Sequence, residues 1–351
     1  MIKRVIEFGL AVLLAACWLV ALAPAAQAQD PSTLRQAQDS GRATSTGSGQ
    51  AYPSRPIRMI VPYPPGGSTD PAGRLFAAWL SDALGQPVVV DNRPGAGATI
   101  GHGMGAKATP DGYTILLGTS GGLASGPALA PKLPYDPVRD FAPIGLAVYA
   151  PFLLIVHPSV PAKNIQEFIA HGKAPGSQIN FASPGVGTPN HLGAELLKSM
   201  TGFQFVHVPY KGGGPAVLDL IAGRAQALFG STPFTGSHAK SGRVRAIATG
   251  HATRIASWPD LPAIAETLPG FSNTTWFGLL APAGTPKTVV NRINAEMRKA
   301  VANPELIKQL AAIGLEPASS TPAEFHEMIQ AELKRWSKVI REAGITAESA
   351  Q

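Results

Sequence analysis

The stretch IRMIVPYPPGGSTDPAGRLFAAWLSDALGQPVVVD, residues 57–91, decides the fold class. IRMIVP (57–62) is a short apolar strand, and PYPPGGST breaks it with prolines and a glycine pair. Residues 71–84 then place Leu75, Ala78, Trp79 and Leu80 on one side of a predicted helix, with Gly85 as its C-terminal stop. PVVVD (87–91) is a β-branched strand. A strand, a Gly-Pro loop, a helix and a second apolar strand in this order make a βαβ unit.

The same alternation continues along the chain. Strands are expected at GYTILLG (112–118), PFLLIVHP (151–158), INFAS (179–183), QFVHVPY (204–210), AQALFG (225–230), VRAIATG (244–250) and TTWFGLLAP (274–282). Helices are expected from Pro189 to Met200, Pro215 to Ala222, Pro286 to Ala302 and Pro322 to Ala343. Asn164 and Glu167 have capping-box-like spacing, and Thr321 with Glu324 forms a capping box. Continuous apolar strands alternating with helices argue α/β layers built on largely parallel sheets. In such sheets ligands bind beyond the carboxyl ends of the strands.

One device recurs. A strand ends, a Gly- and Pro-containing loop follows, and proline opens the next helix at Asp70-Pro71, Thr188-Pro189, Gly214-Pro215 and Thr285-Pro286. Proline at the first helical position costs no hydrogen bond, and Asp or Thr before it can cap. Each such start, taken alone, is explained as a good helix start. Four of them after strands also leave amide groups and positive dipole ends at sheet edges. With the hydroxyls of Ser68, Thr69, Ser183 and Thr188, that lining suits a carboxylate.

The chain has 351 residues, 45% hydrophobic and 15% charged, which is globular composition with room for two domains. Its net charge is +7. No basic cluster interleaved with aromatics is present, so the charge points to a mild attraction for small anions and not to nucleic acid. Lys3 and Arg4 precede the apolar LAVLLAACWLVALAP, and Ala26-Gln27-Ala28 is a small-x-small cleavage signal. The expectation is a signal peptide over 1–28 and export to the periplasm, with a flexible linker over 29–50. The alternative is a lipoprotein anchored at Cys17, because LAAC (14–17) resembles a lipobox. Under ordinary cleavage the mature chain has no cysteine, and disulfide and thiol chemistry are excluded.

Rival motifs fit less well. No P-loop follows any strand, and PGAGATIG (94–101) misses dinucleotide spacing by one place. Gly118-Thr119-Ser120-Gly121-Gly122 fits the nucleophile elbow G-x-S-x-G after a strand. That motif requires a helix at once, whereas LASGPALAPKLPYD carries three prolines and another glycine, and the acid and histidine of a triad would have to be as distant as Asp219 and His326. The eight histidines are dispersed without H-x-x-x-H spacing, so no metal and no cofactor is expected. His191 follows Thr188 closely enough either to donate to a ligand or to orient the loop.

The segments from 61 to 101, PDGYTILLGTS, LPYDPVRDFAPIG, HPSVPAKNIQEFI, VHVPYKGGGPAVLDLIAG and WFGLLAPAGTP occur together and in order, and this set resembles the Bug, or TctC-type, periplasmic solute-binding proteins. These are the extracytoplasmic receptors of tripartite tricarboxylate transporters. The resemblance runs from about residue 52 to 345 and is specific for family, not for ligand. It implies an α/β type II periplasmic binding fold, with two α/β domains joined by a hinge around a ligand cleft. The domains expected are 51–150 plus 275–351, and 151–274.

By that resemblance a ligand carboxylate is held by Tyr63, Gly66, Gly67, Ser68, Thr69 and Asp70 in one domain, and by Ser183, Gly187, Thr188 and His191 in the other. Tyr210 and Lys211 add a wall, and Thr119, Ser120, Ser231 and Trp276 complete the lining. Asp70 is expected to cap its helix and brace the loop. Two departures stand out. Gly230 occupies a place where members commonly carry an acid, and Ser125-Gly126-Pro127 replaces a frequent Ile-Asn-Pro. Both leave a less charged lining, which favours a carboxylate with an uncharged body, aromatic bodies and dicarboxylates included, over an amino acid. The protein is expected to be a monomeric, non-enzymatic receptor that delivers its ligand to membrane transporter subunits, the other readings being an esterase using Ser120 or a carboxylate sensor.

Overall fold

The strand β4 (Phe141–Val156) organises the molecule, because it belongs to both halves of the β-structure. The computed structural model describes residues 52–65, 69–130 and 132–346. Before β4 come β1 (Ile57–Val61), α1 (Thr69–Leu84), β2 (Val88–Asn92), α2 (Thr99–Ala106), β3 (Thr114–Thr119), a π-helical turn at Gly121–Ser125 and α3 (Gly126–Leu129). After it come α4 (Ile165–Lys173), β5 (Asn180–Ser183), α5 (Pro189–Thr201), β6 (Val206–Pro209), α6 (Gly213–Ile221), β7 (Ala227–Ser231), α7 (Thr232–Lys240) and β8 (Arg245–Thr249). The chain returns through β9 (Thr274–Pro282) to α8 (Lys287–Ala302), α9 (Pro304–Ala312), β10 (Glu316–Pro317) and α10 (Pro322–Glu342).

The strand order is β2-β1-β3-β9-β4-β7-β5-β6, with β8 and β10 also paired to β4. β1 is parallel to β2 and β3, and β5 is parallel to β6 and β7. The largely parallel expectation therefore holds within each half. The crossing strands depart from it: β9 runs antiparallel to β3 and β4, and β4 antiparallel to β7 and β8. Residues 141–151 of β4 pair with β9, and residues 152–156 pair with β7. The handover falls at Pro151, where the missing N–H matters least because the ladder is changing partners.

The first half buries Met59, Phe76, Leu80, Ile115, Leu279 and Ile293 between the sheet and α1 and α8. The second buries Phe168, Phe181, Leu197 and Phe229 under α4 and α5. Each such side chain contributes about 1.5–3 kcal/mol. α10 serves both. Phe325 and Ile329 pack with Trp276 and Leu280 of the first half, and Trp336, Val339 and Ile340 pack with the core of the second. A second link is polar: Glu316 accepts from Ala256 N–H (3.2 Å), Ser257 N–H (3.2 Å) and Ser257 Oγ (2.9 Å), and Thr232 Oγ1 donates to Gly314 O (2.7 Å).

The proline device is corrected in detail. Only Thr188-Pro189 has the expected form, with Thr188 as cap accepting from His191 N–H. Pro71 and Pro215 sit third in α1 and α6, and Pro286 lies just before α8. The reason is that none of the first few helical N–H groups has an intrahelical acceptor, so proline costs no bond at the third place either. The strand expected at 151–158 is the second part of β4, whose earlier residues are punctuated by Pro143 and Gly145 at a register shift. α9 was not anticipated, although Asn303 caps it by accepting from Glu305 and Leu306. Helical turns do follow Ser120, so the argument against a nucleophile elbow from the lack of a helix fails.

Candidate functional site

The loops after β1, β3, β5 and β7 leave the sheet where its two halves meet. In the first half, Gly66, Gly67 and Ser68 lie outside the described residues. Tyr63 O accepts from Asn92 Nδ2 (3.0 Å), and its hydroxyl bonds to Thr119. Burial pushes the Tyr63 phenol up, partly offset by that bond. Thr69 and Asp70 are buried in the first turn of α1. The Asp70 carboxylate takes Arg74 (3.1 Å) and Asn92 Nδ2 (2.9 Å), which ties the helix start to β2. That geometry fits a bracing role. Asp70→Ala is expected to cost roughly 2 kcal/mol in chemical denaturation; unchanged stability would show that these ties do not brace the loop.

The β3 loop rests on a buried imidazole absent from the expected site. His102 Nδ1 bonds to Ala98 O (2.9 Å), and its Nε2 accepts from Thr119 N–H (3.4 Å). The ring is therefore neutral with the proton on Nδ1, an assignment made from its partners. Burial pushes its pKa down to about 4, the bond to Ala98 opposing the shift. Tyr135 stacks beside it and donates to Gly122 O (2.6 Å), while Thr119 Oγ1 accepts from Gly122 N–H (3.3 Å). Ser120 is 3% exposed and its Oγ finds no hydrogen-bond partner among the described residues. Asp219 and His326 do not join it: Asp219 bonds to Tyr210 and Arg224, and His326 to Gln330.

The second-half loop is closed by its own side chains. Ser183 Oγ contacts His207 Nε2 (2.7 Å), Gly185 O (2.9 Å) and Gly185 N–H (3.2 Å). Thr188 Oγ1 donates to Gly185 O (2.7 Å) and accepts from His191 N–H (3.4 Å). Gly187, at φ 74°, donates its N–H to His191 Nδ1 (3.1 Å), and His191 Nε2 faces Glu195 (3.4 Å). Both nitrogens of His191 thus face partners within the loop and its helix. His191 and His207 stack at 3.7 Å. Burial first, and the neighbouring His191 second, push the His207 pKa down to about 4 against a smaller pull from Glu195.

The hydroxyls of Ser183 and Thr188, counted from sequence as free donors, are therefore largely occupied. The start of α5 is largely occupied as well: Pro189 has no N–H, His191 N–H goes to Thr188 Oγ1 and Gly187 N–H to His191 Nδ1, which leaves the second-position N–H of Asn190 as the first-turn amide without an intrahelical acceptor. Tyr210 turns its hydroxyl to Asp219 (2.8 Å), and Lys211 is exposed. Ser231 is half-buried at the end of β7, its carbonyl accepting from Thr235 Oγ1 (3.0 Å). Trp276 is 1% exposed and lies against Phe325 in the first-half core, its Nε1 unpartnered among the described residues. Gly230 has a steric reason: an added Cβ would lie 2.2 Å from the Thr235 methyl. A groove of about 780 Å3 at Lys132 and Arg139 and a cavity of about 380 Å3 at His251 and Glu316 contain none of the loop residues named above.

His102 and His207 were missed by sequence reasoning. His207 could have been found as the polar residue inside VHV (206–208), and His102 as a lone imidazole between two glycines one helix before the Thr-Ser loop.

Known proteins resemble this chain in sequence and fold. The sequence profile described as tripartite tricarboxylate transporter family receptor matches residues 73–345. Protein BugT of Bordetella pertussis is 39% identical over 299 residues, spanning 85% of this chain and 92% of BugT. Rpa4515 of R. palustris, solved with adipate, is 34% identical with a TM-score of 0.71, covering 84% of this chain and 99% of that one. MatC (Rpa3494) from Rhodopseudomonas palustris, solved with bound malate, is 31% identical with a TM-score of 0.66, covering 82% of this chain and 100% of that one. A profile match over most of the chain and relatives matched nearly end to end show that the chain belongs to the tripartite tricarboxylate transporter receptor family, periplasmic solute-binding proteins with a two-domain α/β fold.

Proposed function

We propose that this protein captures a small carboxylate between the loop 63–70 and the loop 183–191 and delivers it to tripartite transporter subunits in the membrane. The observation that carries the reading is the junction of the two sheet halves. What supports it is that α1, α5 and the unpartnered Ser120 Oγ each follow the carboxyl end of a strand, β1, β5 and β3. Neutral amides and hydroxyls hold a carboxylate through charge-assisted hydrogen bonds without a fixed counter-ion, which permits release. Relatives solved with adipate and malate support carboxylates as the ligand class. The two domains, 51–150 with 275–351 and 151–274, close on the ligand, and closure is driven by the tighter binding of the closed form. The mature protein begins at Gln29 after removal of a signal peptide, acts in the periplasm as a monomer and carries out no bond chemistry.

A melting screen of the mature chain against mono-, di- and tricarboxylates tests this. At about 100 times the dissociation constant a true ligand adds roughly 2.7 kcal/mol, a rise of roughly 5 °C or more for a chain of this size. Activated esters should remain uncleaved, and Asp70→Ala should weaken the response together with stability. The reading fails if no acid raises the melting temperature, or if an ester is turned over and Ser120→Ala abolishes the turnover.

A further inference from the structure

The cavity at His251 and Glu316 has walls from both halves of the molecule. Tyr149 of β4, Glu316 and Ala318 belong to the first half, and His251, Arg254 and Ile255, which follow β8, belong to the second. Register sets the first wall: Glu316 lies opposite Tyr149 where β10 pairs with β4. The second wall is placed by Gly250, whose N–H donates to Phe152 O (2.7 Å), one residue past the handover at Pro151. The Tyr149 and His251 rings meet edge to face at 4.9 Å. The space between the walls is about 380 Å3, at the small end of the roughly 300–1,000 Å3 of ligand pockets.

The charges in this lining do not balance. Arg254 is held by Glu266, Nε to Oε1 (2.9 Å) and Nη2 to Oε2 (3.0 Å). Glu316 has no such counterpart. Among the described residues it forms no ion pair, and the donors that reach it are Ala256 N–H, Ser257 N–H and Ser257 Oγ, all neutral. A carboxylate offers about four acceptor sites, so one stays open. His251 does not supply the charge: its Nδ1 accepts from Thr253 N–H (3.2 Å), and burial pushes its pKa down against smaller pulls from Thr253 and Glu316. Glu316 is half-buried, and a carboxylate without a counter-charge attracts cations more strongly there than in open water.

We propose that this cavity is a second binding site, separate from the loops 63–70 and 183–191, and that it takes a small organic cation, a primary ammonium on an apolar body. The ammonium donates to the open acceptor position of Glu316, and the apolar body lies against Leu146, Ile255 and Pro317. The Tyr149 ring adds the attraction that aromatic faces have for cations. A neutral molecule of the same shape gains the apolar contact but leaves Glu316 without its counter-charge. An anion meets Glu316 as a like charge. The site stands on the cavity and its charges and does not depend on the carboxylate reading above.

Calorimetric titration of the full mature chain with amines and their neutral counterparts tests the assignment: benzylamine against benzyl alcohol, and hexylamine against hexanol. Each amine is expected to bind at least about tenfold more tightly than its alcohol, the worth of one hydrogen bond to a charged group. Glu316→Gln, which keeps the shape of the side chain and removes its charge, should abolish that preference. Ser319→Trp, at the exposed rim of the cavity, should block amine and alcohol alike and gives an independent reading if the first variant folds poorly. Amines that bind no better than alcohols, or no binding by either series, would overturn the site. A preference that survives both variants would overturn it as well, by placing the amine elsewhere on the molecule. The carboxylate screen keeps its own result in every case.

Discussion

Lowering the pH from 7 to 4 should remove several kcal/mol of stability through two buried imidazoles. His102 and His207 are neutral in the folded protein, with pKa values pushed down to about 4 from an ordinary 6.5. Between those values the unfolded chain binds protons that the folded chain refuses, so stability falls as pH falls through 6.5 and levels off below 4. For fully buried His102 the loss approaches roughly 3 kcal/mol, and half-buried His207 adds a smaller share. Arginine partners and backbone or side-chain hydrogen bonds hold carboxyls such as Asp91 and Asp136 below their usual range, so their contribution is lost only at lower pH. Urea midpoints at pH 7.5, 6.0, 5.0 and 4.5 should trace the decline, and His102→Asn, which keeps a donor for Ala98 O, should flatten it. A midpoint constant down to pH 4.5 would show that the two rings charge without cost. The consequence is local as well as global. A proton on His102 Nε2 would meet the Thr119 N–H it now accepts, and the β3 loop would lose its support.

The second large effect concerns Gly230. The family resemblance places an acid here, and restoring it by Gly230→Asp should destabilise the protein by about 4 kcal/mol or more. The new Cβ would fall 2.2 Å from Thr235 Cγ2 and 2.7 Å from its Oγ1, inside any tolerable contact. Moving Thr235 breaks its bond to Ser231 O, and the added carboxylate arrives in a buried position. Thermal or urea denaturation measures the loss. Adding Thr235→Ala should recover a substantial part, because it clears the space. A single variant as stable as the parent would disprove the steric argument. The missing acid is thus no simple deletion, since Thr235 has filled the volume it would need.

Much of the fold was legible from local signals. β9 runs over Thr274–Pro282 as its unbroken apolar pattern requires, and α10 starts at Pro322 behind the Thr321–Glu324 capping box. Such features depend on residues adjacent in sequence. The first part of β4 was hidden because Pro143 and Gly145 read as loop punctuation, whereas a register shift absorbs them. The strand ends and helix starts that bound the candidate loops were legible for the same local reasons. Their internal chemistry was not, because it depends on partners brought from elsewhere: Ser183 is claimed by His207 from the next strand, and Thr119 by His102 from the preceding helix. Trp276 is expected in the lining, and its packing against Phe325 and the first-half core comes from neighbours across β3 and α10 that the sequence does not show.

α10 has a mechanical consequence. Its early turns are sealed into one core through Phe325 and Ile329, and its late turns into the other through Trp336, Val339 and Ile340. A rod gripped at both ends behaves as an axle. One half of the molecule can turn about it, but cannot pull away without tearing apolar surface from one of the grips. The permitted motion is accordingly a twist of limited arc, with side chains re-seating in discrete steps because close-packed interiors do not stretch. Shortening the rod beyond Ile329 would remove the second grip and leave Phe271 and Phe229 without that apolar cover.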